Sequence, residues 1–392
     1  MYIVGIDIAK RSHEAIIIDS SGGIIKNAFN FKNDRTGFDK LIRVLDSLGN
    51  RSEFLIGMES TSHYWLALFS NLQNKGYTVH VLNPIQSNAL RGMYIRQLKN
   101  DEHDCLIIAD VIRFGRYTQG ELPQFKLYEL RELCRARLFV VDMVSDLKRK
   151  VIALMDRVFP EYETVFSNMF GSTSMNLLST YSTPEEILSA DIEELTDIVS
   201  IPSRKRFGLP KAQEIKNTAM DSFGIVFAEK SMSTLIKQHI KHIRFIENQI
   251  CEIDDAISDL FSEFDTCITT IPGIGNILGA TIFSEIGDIS RFDSAVKLAA
   301  FAGIDPTVKQ SGEFTGTHNH MSKRGSPYLR RALWQASTVA VRNDPVLHEF
   351  FRKKRAQGKP YMNAIGHVTR KMVNIIYAVM RDNKPYYCPE IS

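Results

Sequence analysis

The chain has 392 residues, 44% hydrophobic and 24% charged, enough for two or three domains with cores of their own, which excludes disorder as the main state. The five cysteines, Cys105, Cys134, Cys251, Cys267 and Cys388, are odd in number and share no C-x-x-C spacing, so they read as reduced thiols and exclude a disulfide scaffold. The net charge of +3 is unevenly spread: residues 305–392 hold 15 Lys and Arg against 6 Asp and Glu, leaving the first 304 residues net acidic.

The sequence opens directly into an apolar strand, Met1-Tyr2-Ile3-Val4-Gly5-Ile6-Asp7, with no basic leader or cleavage site. No apolar run reaches the ~18 residues of a spanning helix, so a soluble cytoplasmic protein without a membrane partner is expected. Strands are predicted over Tyr2–Ile8, Glu14–Ile18 and Ile24–Phe31, with Ser21-Gly22-Gly23 as the turn before the third, forming an antiparallel meander. A helix over Asp34–Leu48, a strand over Phe54–Met58, a helix over Ser62–Asn74 and a strand over Tyr77–Leu82 follow. Pro84 then opens further helix to about Tyr117. The order βββαβαβα is that of a ribonuclease H-like α/β domain, placed at residues 1–117.

Residues 118–262 read as a helical, coiled-coil region. Leu127, Leu130, Cys134, Val141, Val144, Val151 and Val158 fall on heptad positions interrupted by Arg137 and Lys148, and Pro160 ends the helix. A cleaner seam runs Ile243, Ile246, Ile250, Ile253, Ile257, Leu260, so the two helices form an antiparallel pair or an oligomer seam. Between them, Glu161 to Lys230 carries short helical pieces broken by Gly171, Pro184, Pro202 and Gly208-Leu209-Pro210, with no chemistry evident and no repeat. Residues 263–392 form a mainly α-helical C-terminal domain. Its basic pairs Lys323-Arg324 and Arg330-Arg331 and the run Arg352-Lys353-Lys354-Arg355 lie among Tyr328, Trp334, Phe350 and Phe351, a pattern that fits a polyanion partner.

Four carboxylates carry the chemistry. Asp7 lies within an apolar strand, where a carboxylate is costly unless it is paired or holds a metal. Glu59 closes the strand Phe54–Met58 at a strand-to-helix junction, the sheet end where open α/β proteins bind ligands. Asp101 and Asp104 lie three apart at the start of a helix and project from one face. Oxygen donors in this order suit hard divalent cations, and a pair of such ions is suited to phosphodiester displacement.

At this point the chain resembles the DEDD-type insertion-sequence transposases, the insertion-sequence-110 family of bridge-RNA-guided serine recombinases. The resemblance rests, at the front, on Gly5-Ile6-Asp7, Glu59-Ser60-Thr61-Ser62-His63-Tyr64-Trp65, Asn83-Pro84 and Lys99-Asn100-Asp101-Glu102-His103-Asp104-Cys105. At the back it rests on Ile271-Pro272-Gly273-Ile274-Gly275, Phe301-Ala302-Gly303-Ile304-Asp305-Pro306, Gln310-Ser311-Gly312 and Ser322-Lys323-Arg324-Gly325 leading to Leu329-Arg330-Arg331. It implies a RuvC-like first domain whose Asp7, Glu59, Asp101 and Asp104 bind Mg²⁺, and a C-terminal transposase domain supplying a serine nucleophile through a covalent phosphoserine link to DNA. That serine is carried onto Ser311, with Ser322 as second choice, although Ser322 reads equally well as a helix N-cap. Asn100, Cys105 and Glu313 stand where the family keeps other residues. The resemblance also implies a composite active site, a structured noncoding guide RNA beside DNA, a dimer or synaptic tetramer, and a nucleoid-associated prokaryotic protein.

Gly273 and Gly275 sit in a segment like a helix-hairpin-helix turn, whose amides face a DNA phosphate. Lys323, Arg324, Arg330 and Arg331 are expected to hold phosphates. His239, His242, His318 and His320 lack the companions of a zinc site. The alternative enzyme is a metal-dependent Holliday-junction resolvase-like nuclease, in which the four acids direct water and Ser311 is structural. A sugar kinase or actin-like ATPase, opened by Gly5-Ile6-Asp7-Ile8, would need a small phosphate turn where Ala9-Lys10-Arg11 stands. A DNA-binding module without catalysis leaves Asp7 and Glu59 unexplained.

Overall fold

The computed structural model describes residues 1–60, 62–82, 84–91, 101–115, 125–306, 310–311, 314–315 and 320–388, in backbone alone at 85, 86, 89, 91, 101, 102, 125, 310, 311, 314 and 315. The chain divides into two compact units, 1–122 and 123–392.

In the first unit, β1 (Tyr2–Asp7), β2 (Ser12–Asp19), β3 (Ile24–Lys32), β4 (Phe54–Glu59) and β5 (Thr78–Leu82) form one mixed sheet ordered β3-β2-β1-β4-β5. The meander β1–β2–β3 is antiparallel, whereas β1–β4 and β4–β5 are parallel. Alternation assigns the two faces. Val4, Ile6, Ala15, Ile17, Ile56 and Met58 bury one face under the first two helices, α1 (Arg35–Asp46) and α2 (Trp65–Asn74). The Asp34 carboxylate caps α1 by accepting from the Gly37 amide at 2.8 Å. Ile3, Ile16, Ile18 and Leu82 bury the other face with Cys105, Ile108 and Ile112. Those last three belong to α4 (Asp101–Phe114), which follows α3 (Pro84–Arg91).

The second unit is built on two 34-residue helices, α5 (Phe125–Val158) and α11 (Glu229–Ser262), packed along each other. The two residues that interrupt the predicted seam of α5 have partners on α11: Arg137 is bonded by Asp254, and Lys148 meets Glu247 at 2.8 Å. Asp254 lies after Glu247 while Arg137 precedes Lys148, so the helices run antiparallel. Between them come α6 (Tyr162–Val165), α7 (Ser172–Thr180), α8 (Pro184–Ser189), α9 (Ile192–Ser200) and α10 (Leu209–Met220). Their Tyr162, Leu177, Leu178, Ile187, Leu195 and Ile215 share one core with Val151 and Val158 of α5 and Ile236, Ile240 and Ile243 of α11.

The other halves of α5 and α11 share a second core with α12 (Asn276–Ile286), α13 (Ala295–Phe301), α14 (Pro327–Asn343), α15 (Pro345–Ala356) and α16 (Tyr361–Asp382). A short hairpin, β6 (Gln310–Ser311) with β7 (Phe314–Thr315), lies between α13 and α14.

A buried ion pair joins these helices. The Glu285 side chain, 2% exposed, accepts from Arg135 at 2.6 and 3.1 Å and from the Ser326 hydroxyl at 2.7 Å. Ser326 in turn caps α14 by accepting from the Leu329 amide at 3.1 Å. Arg131 donates to the Ser284 carbonyl at 2.8 Å, and its guanidinium is held below its usual pKa chiefly by burial. Removing one partner of such a pair strands the other. Arg135 keeps 37% of its side chain exposed, so Glu285→Ala is expected to lower stability by about 2 to 3 kcal/mol, measured by urea unfolding of the full chain.

Candidate active site

The strand ends and the helix start that carry the four predicted acids lie at one end of the first sheet. β1 and β4 pair in parallel with Tyr2 beside Phe54 and Ile6 beside Met58, and the same register one step further sets Asp7 beside Glu59. Both close their strands, and residues side by side in register face the same side of the sheet. That side is the one covered by α4, since Asp7 is two residues beyond Gly5 and Glu59 two beyond Gly57. A Cβ on Gly5 would lie 2.1 Å from the Cys105 carbonyl oxygen and 2.6 Å from the Ala109 nitrogen. A Cβ on Gly57 would lie 2.6 Å from Ile112 Cγ1.

The direction of α4 follows from its contacts. Arg113, near its end, lies against Gly22 in the turn after β2, which sits beside the start of β1 because Tyr2 pairs with Asp19. Its first turn therefore lies at the opposite end of β1, the end of Asp7 and Glu59. Asp101 opens that turn and Asp104 is its fourth residue. Asp7, Glu59 and Asp104 are all half-buried; the Asp101 side chain lies outside those described.

The register also exposes a carboxylate that sequence reasoning missed. Glu14 pairs with Asp7 across β1–β2 and shares a strand face with Ile16 and Ile18, which pack with α4. The Glu14 carbonyl accepts from the Cys105 thiol at 3.0 Å, tying β2 to the first turns of α4. Glu14, Asp7 and Glu59 thus stand in a row across three strands. Like charges at neighbouring sheet positions repel, and a cation relieves that repulsion. Only a prediction of strand register could have found Glu14. The donors at this edge are oxygens, the chemistry of a hard divalent ion. Among the described side chains, no three His, Cys, Asp or Glu residues are close enough to form a metal site.

In the second unit, the motifs Phe301–Pro306 and Ser322–Gly325 close on each other through their backbones. The Ser322, Lys323 and Ser326 amides donate to the carbonyls of Asp305, Gly303 and Phe301 at 2.9, 3.0 and 3.1 Å. Pro306 bridges to Met321. A Cβ on Gly325 would meet the Phe301 carbonyl oxygen at 2.1 Å, so only glycine permits this approach. The segment they enclose carries the β6–β7 hairpin, in which Ser311 pairs with Phe314 next to the connecting residues 312–313. The Ser311 side chain, residues 312–313, and Asn83, Lys99, Asn100 and His318 lie outside the described residues.

Ser322 is not the N-cap that its position allows; the cap of α14 is Ser326. The Ser322 hydroxyl is bonded to the Asp305 carboxylate instead. The four expected phosphate-holding cations divide in two. Arg331 pairs with Asp142 at 2.8 Å and Arg330 donates to the Ala302 carbonyl at 3.3 Å. Lys323 and Arg324 are exposed and pair with no carboxylate among the described residues. Gly273 has φ +91°, and a Cβ there would meet the Ala336 carbonyl oxygen at 2.5 Å, so packing against α14 already requires glycine. Gly275, by contrast, is open and precedes the first turn of α12.

Comparison with known proteins gives these features a family. Residues 4–160 match a transposase family model of the DEDD, IS110 type, and residues 265–352 match that of the transposase IS116/IS110/IS902 family. The chain belongs to the IS110/IS116/IS902 family of transposases. Both the acid-bearing sheet and the segment that closes around the β6–β7 hairpin fall within the matched residues. This family member is similar along nearly its whole length to the 44.8 kDa protein of insertion element IS116 from Streptomyces clavuligerus, with 24% identity over 97% of this chain and 95% of that one. It is 25% identical to the 42 kDa protein of insertion element IS900 from Mycobacterium paratuberculosis over 98% and 96% of the two chains. It is 24% identical to the pilin gene-inverting protein of Moraxella bovis over 98% and 97%.

Proposed function

We propose that this transposase-family protein cuts and rejoins DNA through a phosphoserine intermediate, with Ser311 as nucleophile and with Asp7, Glu59, Asp101 and Asp104 as the acids that hold divalent cations, Mg²⁺ by preference. The observation that carries this reading is the register that sets Asp7 beside Glu59 on the face whose covering helix begins with Asp101 and Asp104. When bound, such ions supply positive charge against the oxygens of a phosphodiester under attack. The carboxylates hold them at an end of the sheet that the buried strands keep rigid. The Ser311 hydroxyl attacks phosphorus, its proton passes to a base, and one P–O bond to deoxyribose breaks to release a strand-end hydroxyl. A hydroxyl from a second strand then attacks the phosphoserine and restores the free serine, so the bond energy is kept for rejoining.

Two expectations extend the reading. A structured noncoding RNA, encoded beside the gene, chooses the sequences by base pairing while the protein holds backbones. The protein works as a dimer or synaptic tetramer, with a RuvC-like first domain. The relative named for pilin gene inversion supports recombination rather than simple cleavage.

The test uses labelled element-end DNA, Mg²⁺ and the adjacent noncoding transcript, resolved on a denaturing gel. Wild-type protein is expected to give a covalent protein–DNA band, and Ser311→Ala to give none. Cleavage that survives Ser311→Ala without any such band assigns attack to water and replaces this reading with a metal-dependent nuclease.

A further inference from the structure

The segment between α9 and α10 presents three exposed cations that the proposed reaction does not use. From Val158 to Ser203 the sequence contains eight carboxylates and no lysine or arginine. Three consecutive cations then follow, Arg204-Lys205-Arg206, all exposed. None of the three forms an ion pair with a carboxylate among the described residues, although Asp191, Glu193, Glu194 and Asp197 stand close by in sequence.

The loop is built rather than loose. The Lys205 amide donates to the Ser200 carbonyl at 2.9 Å and the Arg206 amide to the Ser203 carbonyl at 3.2 Å. The Ser203 hydroxyl donates to the Ser200 carbonyl at 2.9 Å and accepts from the Phe207 amide at 3.0 Å. Phe207 anchors the far side by stacking edge-on against Phe166, with the Lys211 ammonium over both rings. Within this frame Arg204 and Lys205 hold φ of +53° and +64°, a left-handed conformation that costs side-chain-bearing residues and persists where the surroundings enforce it. Glycine would adopt it freely, yet the positions carry long cations.

We infer that Arg204, Lys205 and Arg206 grip the phosphate backbone of a nucleic acid, adding a contact on the loop between α9 and α10. Three adjacent, uncompensated cations neutralise phosphates by displacing counterions, and the acidic surroundings confine the anion to the loop. The contact is sequence-independent and positions the strand. It rests on the nucleic-acid reading of the family but not on the serine chemistry. DNA and RNA present the same phosphodiester, so both are tested.

The experiment measures the affinity of the full chain for a labelled DNA duplex and, separately, a labelled RNA hairpin, between about 50 and 300 mM salt. Arg204→Gln/Lys205→Gln/Arg206→Gln is expected to lose about tenfold or more in affinity near 0.1 M salt for at least one probe. Its plot of log affinity against log salt flattens by about two to three units. The probe affected tells DNA from RNA. Neutralising three exposed lysines elsewhere, Lys26, Lys75 and Lys241, is expected to leave both plots nearly unchanged. Arg204→Gly/Lys205→Gly is expected to raise Tm by a few degrees while still weakening binding, which separates a lost contact from a lost fold. Unchanged affinity and slope for both probes in the triple Gln variant overturn the inference, as does an equal loss in the Lys26/Lys75/Lys241 variant. Wild-type protein that binds neither probe overturns the inference together with the nucleic-acid reading on which it rests.

Discussion

Asp7→Asn is expected to lower DNA cleavage and strand transfer by at least ~10³-fold, with thermal unfolding changed little. The substitution keeps size and shape at a half-buried position and removes one negative charge from an edge where Glu14, Asp7 and Glu59 stand on three neighbouring strands. On the proposed reading it weakens the hold on divalent ions while keeping the size and shape of the side chain, so activity falls with little change in unfolding. Glu59→Gln is expected to behave alike. On the proposed reading the acids act as a unit, so the double variant should fall little below either single one. Single-turnover cleavage of element-end DNA across a Mg²⁺ titration checks this. A Glu59→Gln protein with full rate at ordinary Mg²⁺ would remove Glu59 from the site.

The second large effect is structural. At Gly5 an added Cβ would lie 2.1 Å from the Cys105 carbonyl oxygen and 2.6 Å from the Ala109 nitrogen, both backbone atoms of α4. Backbone cannot rotate away, so α4 must lift from β1, opening the packing of Ile3, Ile16 and Ile18 against Ile108 and Ile112. Gly5→Val is expected to cost about 3 kcal/mol or more and to abolish activity, since the same shift moves the first turn of α4 away from Asp7. Gly57→Ala is the milder comparison. Its Cβ meets Ile112 Cγ1 at 2.6 Å and Cδ1 at 3.1 Å, atoms of a side chain that can change rotamer. Urea unfolding of the two variants should rank Gly5→Val well below Gly57→Ala; the reverse order would contradict the packing of α4 on β1.

The strands and helices of the first unit were legible because each buries one face, which leaves alternation in the sequence. The acids were found as isolated anomalies, Asp7 within an apolar strand and Glu59 at the close of another. Their neighbourhood was not legible, because the parallel register of β1 and β4 pairs residues some fifty positions apart. Glu14 was missed for the same reason: nothing local marks a strand carboxylate as the partner of Asp7. Arg137 and Lys148 broke the heptad pattern of α5 only while their partners on α11, Asp254 and Glu247, were unknown. Ser322 illustrates a local rule overruled by tertiary structure. It precedes a helix as a cap would, yet Ser326 takes that role and Ser322 turns to Asp305. The three cations Arg204, Lys205 and Arg206 stand in the sequence, but the left-handed backbone at Arg204 and Lys205 leaves no signal in composition.

The most direct test of the phosphoserine mechanism is to isolate the protein–DNA adduct from the wild-type reaction, digest both components and map the modified peptide by mass spectrometry. The mechanism predicts a nucleotide-phosphate adduct on the peptide containing Ser311, dependent on divalent metal and on Asp7. An adduct on Ser322, or cleaved DNA whose ends carry no protein, would contradict it.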